Sequence, residues 1–132
     1  MRALGLAIIA ITLTGCDELI GGGACTTSVE PSIRLEIRDS VSGVGLADQA
    51  TATATDWFTT YTLEDIIDDS VRQYGPYEIG GVFDVVVTVP GYQTWTRENV
   101  KVDESGCHVV SVDLLARMVP DLTDATDRPK SE

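Results

Sequence analysis

The chain has 132 residues, 43% of them hydrophobic, and carries nine Lys and Arg against 21 Asp and Glu, a formal net charge of −12. That length accommodates one ordinary core of ~100–150 residues, so a single module must carry whatever the protein does. The acidic excess excludes nucleic acid as a partner, because such a surface repels phosphates, and it disfavours direct attraction to anionic lipid headgroups.

Residues 1–16 read MRALGLAIIAITLTGC: one basic residue, an uncharged apolar run over residues 3–13, small residues and a cysteine. This three-part layout predicts an export signal. The run is about half the ~20 residues that a bilayer-spanning helix needs, and Asp17 and Glu18 end it, so a permanent transmembrane anchor is not expected. Leu13-Thr14-Gly15-Cys16 resembles the bacterial lipobox, in which the cysteine thiol receives diacylglycerol and a peptidase then cuts before it. The resemblance implies a signal peptide over residues 1–15, Cys16 as the acylated (palmitate-type) first residue of the mature lipoprotein, and a place on a membrane of the bacterial cell envelope. Two or three acyl chains at ~0.8 kcal/mol per buried methylene make a stable anchor. Asp17 resembles the inner-membrane retention signal of enteric bacteria, and the choice between inner and outer membrane stays open. Residues 16–24 contain Gly21-Gly22-Gly23 and are expected to form a flexible tether. It is short: Cys25 lies nine positions after Cys16, a reach of at most ~30 Å.

Acylation of Cys16 leaves Cys25 and Cys107 in a compartment where disulfides persist. Parity predicts one bridge between them, tying the first segment of the domain to its last strand. Closing a loop of that length stabilises by roughly 4.5 kcal/mol in the chain-entropy model. A metal pair formed with His108 would lack the third and fourth ligands of a zinc site, so neither a metal nor another cofactor is expected.

From Ser32 onward, short period-two segments alternate with turn signals, the pattern of an antiparallel sandwich or barrel. Ile33, Leu35 and Ile37 alternate with Arg34, Glu36 and Arg38 in the clearest strand of the chain. Asp39-Ser-Val-Ser-Gly43 supplies turn chemistry, and alanine and threonine alternate over residues 50–55. Phe83, Val85, Val87 and Val89 mark a central strand that Pro90-Gly91 ends. Shorter strands are expected over residues 92–95 and 100–102, and Val110, Val112 and Leu114 mark a last long one, for six or seven in all. Within residues 62–71 the apolar positions 63, 66, 67 and 71 have helical spacing, and Thr62 with Asp65 could form a capping box. A single short helix or an acidic loop is expected there. Asp65, Asp68 and Asp69 lack the glycine-punctuated spacing of a calcium loop, which favours a solvated acidic face.

Asp39-Ser-Val-Ser-Gly43 with the following Ala/Thr strand, Gly81-Val-Phe-Asp-Val-Val-Val-Thr-Val-Pro-Gly91-Tyr92, and Cys107-His108-Val109 with the final strand resemble the carboxypeptidase regulatory-like domain. The resemblance covers residues 25–119. It implies an all-β, antiparallel prealbumin-like β-sandwich of about seven strands, which here would carry the one short helical or acidic insert. Residues 120–132 have little periodic apolar content and are expected to form a disordered tail. It also implies an accessory module of the kind appended to peptidases, outer-membrane receptors and secreted proteins. The enzymatic transthyretin-related hydrolases of the wider fold need several histidines and a C-terminal Tyr-Arg-Gly-Ser; this chain has one His and ends Pro-Lys-Ser-Glu, so no catalytic residue carries over.

The expected function is a non-catalytic binding or assembly module of the envelope, with the membrane as partner through the lipid and an envelope protein or glycan as the further one. Binding of carbohydrate or peptidoglycan is the alternative, with Trp57 and Tyr61 as candidate ligand-binding residues, because Tyr92 and Trp95 are expected in the core. A small hydrolase is the third possibility. It requires a pocket that brings His108 within hydrogen-bond reach of a serine or carboxylate.

Overall fold

The computed structural model describes residues 25–122. The leader, Cys16, the tether and residues 123–132 of the tail lie outside them. The protein is an all-β sandwich of a three-stranded and a four-stranded sheet, with a two-stranded hairpin at one end.

The alternation read in the sequence forms strand β1 (Pro31–Asp39), whose Ile33, Leu35 and Ile37 are fully buried. β1 is the middle of the first sheet, antiparallel to β4 (Arg72–Tyr77) and parallel to β9 (Val112–Met118). The other strand pairs are antiparallel, as expected of the sandwich, and the β1–β9 pair is parallel. The second sheet has the order β3 (Thr60–Thr62), β2 (Thr51–Thr55), β5 (Gly81–Thr88) and β6 (Trp95–Val102), all antiparallel. Its inner face carries Phe83, Val85 and Val87 beside the small Ala54 and Ala52, which pair with Val85 and Val87. The small side chains leave room for the first sheet's Ile33, Leu35, Ile37, Ala116 and Met118, and the two rows interdigitate as one core. Buried Gln73 donates to the carbonyls of Ala47 at 2.8 Å and Ala50 at 2.9 Å, fixing the approach to β2.

One stated alternative is decided, and one expectation needs correction. Residues 64–71 form an acidic loop, and the helical alternative is not realised. Asp65 Oδ1 accepts from the amides of Ile67 and Asp69, and Asp69 Oδ1 accepts from Val71, so side chains take the amides that a helix would use internally. Ile66 and Ile67, on whose burial a helix would depend, are 55% and 61% exposed. Within the sandwich a 3-10 turn is formed at Ala47–Gln49.

In place of the two short strands expected over residues 92–95 and 100–102 there is the single strand β6, which starts at Trp95 and runs through Val102. Between Phe83 and Val85 the β5–β6 register shifts: Phe83 faces Val100, whereas Val85 faces Arg97. The extra β6 residue makes a bulge at which Asn99 takes φ 56° and its amide donates to Asp84 Oδ1 at 3.0 Å. A bulge changes the parity of a strand, which is why the alternation breaks there.

Phe83→Ala is expected to cost about 3–5 kcal/mol in urea unfolding, whereas Val82→Ala, one position along on the outer face, should cost about 0.5 kcal/mol or less. Similar costs at the two positions would contradict the assignment of faces.

Candidate functional site

The strand registers gather several segments at one end of the sandwich. β1 starts there at Pro31, paired with Tyr77 at the end of β4. Four residues later Gly81 opens β5, paired with Val102 at the end of β6. The hairpin β7 (Glu104–Ser105) and β8 (His108–Val109) follows at once. The β2–β3 tip, residues 56–59, lies at this end too, because Thr55 pairs with Asp84 near the start of β5.

Cys25 and Cys107 are disulfide-bonded with their Cα atoms 5.4 Å apart. The pairing is the one expected, but its far partner lies in the β7–β8 turn and not in the last strand. The bridge holds the segment leading into β1 against the hairpin, and between them opens a cleft of about 460 Å³, lined among others by Thr26, Ser28, Glu78, Glu104 and His108.

Glu78 organises this cleft. Its backbone φ is 55°, a left-handed conformation that costs a non-glycine residue energy and persists because contacts on several sides impose it. Oε1 accepts from the Glu30 amide at 2.8 Å and from His108 Nδ1 at 2.7 Å, and Oε2 accepts from the Val109 amide at 3.3 Å. The Glu30 amide and the imidazole hold the carboxyl below the ordinary glutamate range. An ionised carboxylate can only accept, so the proton sits on Nδ1, and in the neutral ring Nε2 accepts from the Thr26 hydroxyl at 3.0 Å. Thr26 Oγ1 is in turn 2.9 Å from Ser28 Oγ. Hydroxyl, imidazole and carboxylate are thus in line. The array has the order of a nucleophile, base and orienting acid, and it equally laces the incoming segment to the β4–β5 connection and the hairpin.

Sequence reasoning named His108 and found it no partner. The partners are Thr26, 82 residues away, and Glu78, 30 residues away. No local spacing encodes such a triple; only the disulfide pairing, which sets Cys25-Thr26 beside Cys107-His108, pointed towards half of it.

The two candidate ligand-binding aromatics behave differently. Trp57 is 89% exposed, and its neighbour Phe58 is 97% exposed. Tyr61 is half-buried, meets Phe83 edge-on with centroids 6.2 Å apart, and points its hydroxyl at Asp56 Oδ2 3.4 Å away. It supports the tip and does not offer a free stacking face. Asp56 Oδ1 accepts from the amides of Phe58 and Thr59, each at 2.8 Å, which makes the tip a closed turn and holds the Asp56 carboxyl below its ordinary range. Trp95 packs against the core as expected, and Tyr92 does so while donating to Asp39 Oδ2 at 2.7 Å.

A carboxylate lowered by folding stabilises the native state above the unfolded value and loses that contribution as pH falls through its folded value. For Glu78 the stabilisation is present above the ordinary glutamate value of 4.5 and is lost as pH falls below it. Glu78→Gln is therefore expected to lower the urea midpoint at pH 7 and to flatten the decline of stability between about pH 5 and pH 3. An unchanged acid slope in the variant would show that Glu78 carries no such linkage.

Comparison with models of known protein families finds no match to this chain, and comparison with curated proteins finds none either.

Proposed function

We propose that the protein is a lipid-anchored component of the bacterial cell envelope whose sandwich is a non-catalytic binding or assembly module. The observation that carries this reading is the Cys25–Cys107 bridge. Nine residues beyond the cysteine of the Leu13-Thr14-Gly15-Cys16 motif, the chain is covalently fixed to a rigid end of the fold. A bridge of this kind belongs to an oxidising compartment outside the cytosol, as does an acylated cysteine. The carboxypeptidase regulatory-like resemblance supports an accessory role, in keeping with two packed sheets whose core is filled by side chains. An envelope protein or a glycan remains the proposed further partner, although Tyr61, spent on Phe83, leaves the carbohydrate reading one ring short.

A small hydrolase is the second reading, and the Thr26–His108–Glu78 alignment favours it. Against it, Glu78 is already committed to the amides of Glu30 and Val109, and a secondary hydroxyl with a β-methyl group is a hindered nucleophile. These features suit a clasp better than a reaction centre.

Cys16→Ser is expected to abolish labelling by radioactive palmitate and to leave uncleaved precursor; normal processing of that variant would refute the anchor. Purified mature protein is expected to hydrolyse nitrophenyl esters no faster than buffer. Hydrolysis lost in both Thr26→Ala and His108→Ala, with the fold intact by circular dichroism, would transfer the function to the second reading.

A further inference from the structure

We infer that the β2–β3 tip is a second membrane contact, in which Trp57 and Phe58 enter the boundary between headgroups and acyl chains of the bilayer that holds the lipid anchor; this rests on the anchor reading. Three observations meet at the tip. Trp57 and Phe58 are the only large aromatics among the described residues that stand free in solvent. They are presented by a turn closed through Asp56, with a 3.0 Å contact between the Thr55 and Thr60 hydroxyls beneath it, so little conformational entropy is lost on docking. And the tip lies at the end of the sandwich where Cys25 is bonded, since Thr55 pairs with Asp84, Gly81 with Val102, and the Cys107 hairpin follows directly.

The chain between Cys16 and Cys25 bridges at most ~30 Å, so an anchored domain keeps this end towards the bilayer. Val29, Val82 and Val110 are exposed around the same end and add apolar surface. The indole of Trp57, apolar with a polar N–H edge, favours the interfacial layer, and the wholly apolar ring of Phe58 favours its acyl side; such groups sink by about 5–10 Å. Asp84, Asp103 and Glu104 are exposed there, and Lys101 is paired with Asp103 at 2.8 Å. Charge therefore contributes no attraction to anionic lipid, and the contact depends on apolar partition into zwitterionic lipid. Alone it is weak. A short tether supplies an effective concentration in the millimolar range, which makes a weak contact persistent. The domain is then held at two points and does not tumble on its tether.

The chain has two tryptophans, so Trp95→Phe leaves Trp57 as the sole reporter. The acylated mature variant, reconstituted in phosphatidylcholine vesicles containing lipid brominated in the upper acyl chain, is expected to show blue-shifted and strongly quenched Trp57 emission. The Trp57→Phe protein, which reports Trp95 packed further along the sandwich, should remain unquenched. Hydrogen exchange on unmodified acylated protein provides an independent readout: amides 57–59 should slow on vesicles relative to detergent-free solution containing a soluble short-chain lipid. Acylated protein with unquenched Trp57 and unchanged exchange would overturn the contact and leave the anchor standing. Absence of acyl label on Cys16 would overturn the anchor and this inference with it. Quenching restricted to added peptidoglycan fragments would overturn it in favour of a glycan.

Discussion

Strand β1 is bonded along both edges, antiparallel to β4 and parallel to β9, and its inner row of Ile33, Leu35 and Ile37 is sealed from solvent by the opposing sheet. Everything functional at the disulfide end depends on this placement. The residues just before β1 have one path available, past the end of β4 and the hairpin that precedes β9, and there Glu30, Thr26 and Cys25 each find a partner. The covalent bridge and the Glu78 carboxylate act on the same segment in different ways. The first narrows the unfolded ensemble, and the second rewards one native geometry.

How much of this was legible in the sequence differs from element to element for physical reasons. β1 was readable because one face is wholly buried and the other charged, which leaves an unbroken period of two. β6 was not, because it is an edge strand with polar residues through its middle and a bulge at Asn99 that reverses its parity. The acidic loop imitated a helix in its apolar spacing, while the same aspartates that gave it acidic character diverted its amides. The disulfide followed from counting cysteines. Trp57, next to the acidic insert, was legible as a candidate for exposure, whereas Tyr61 alternates with Thr60 and Thr62 in β3 and faces inward, a signal that three residues are too few to announce. The hydroxyl, imidazole and carboxylate array came from three remote segments and had no sequence signature.

The two ends of the sandwich have different characters. At the far end, Asp39 accepts from the amides of Val41 and Ser42 and from the Tyr92 hydroxyl, which fastens the β1 turn to the chain leaving β5. That end also carries the acidic loop. At the near end lie the bridge, the cleft and the aromatic tip. In the proposed orientation the apolar and covalent features face the bilayer and the acidic loop faces away, which leaves Asp84, Asp103 and Glu104 as the exposed acids nearest the headgroups.

The Asn99 bulge has a consequence for neighbours. Proteins tethered to a surface meet one another in two dimensions, at local concentrations far above those in free solution, and an eight-residue outer strand is the natural place for sheets of adjacent molecules to join. β6 presents Arg97, Glu98 and Lys101 along that margin and is kinked between them. The irregularity that hid the strand from pattern reading also denies a neighbouring molecule a straight template for edge-to-edge pairing, at the crowding that the proposed anchor would bring.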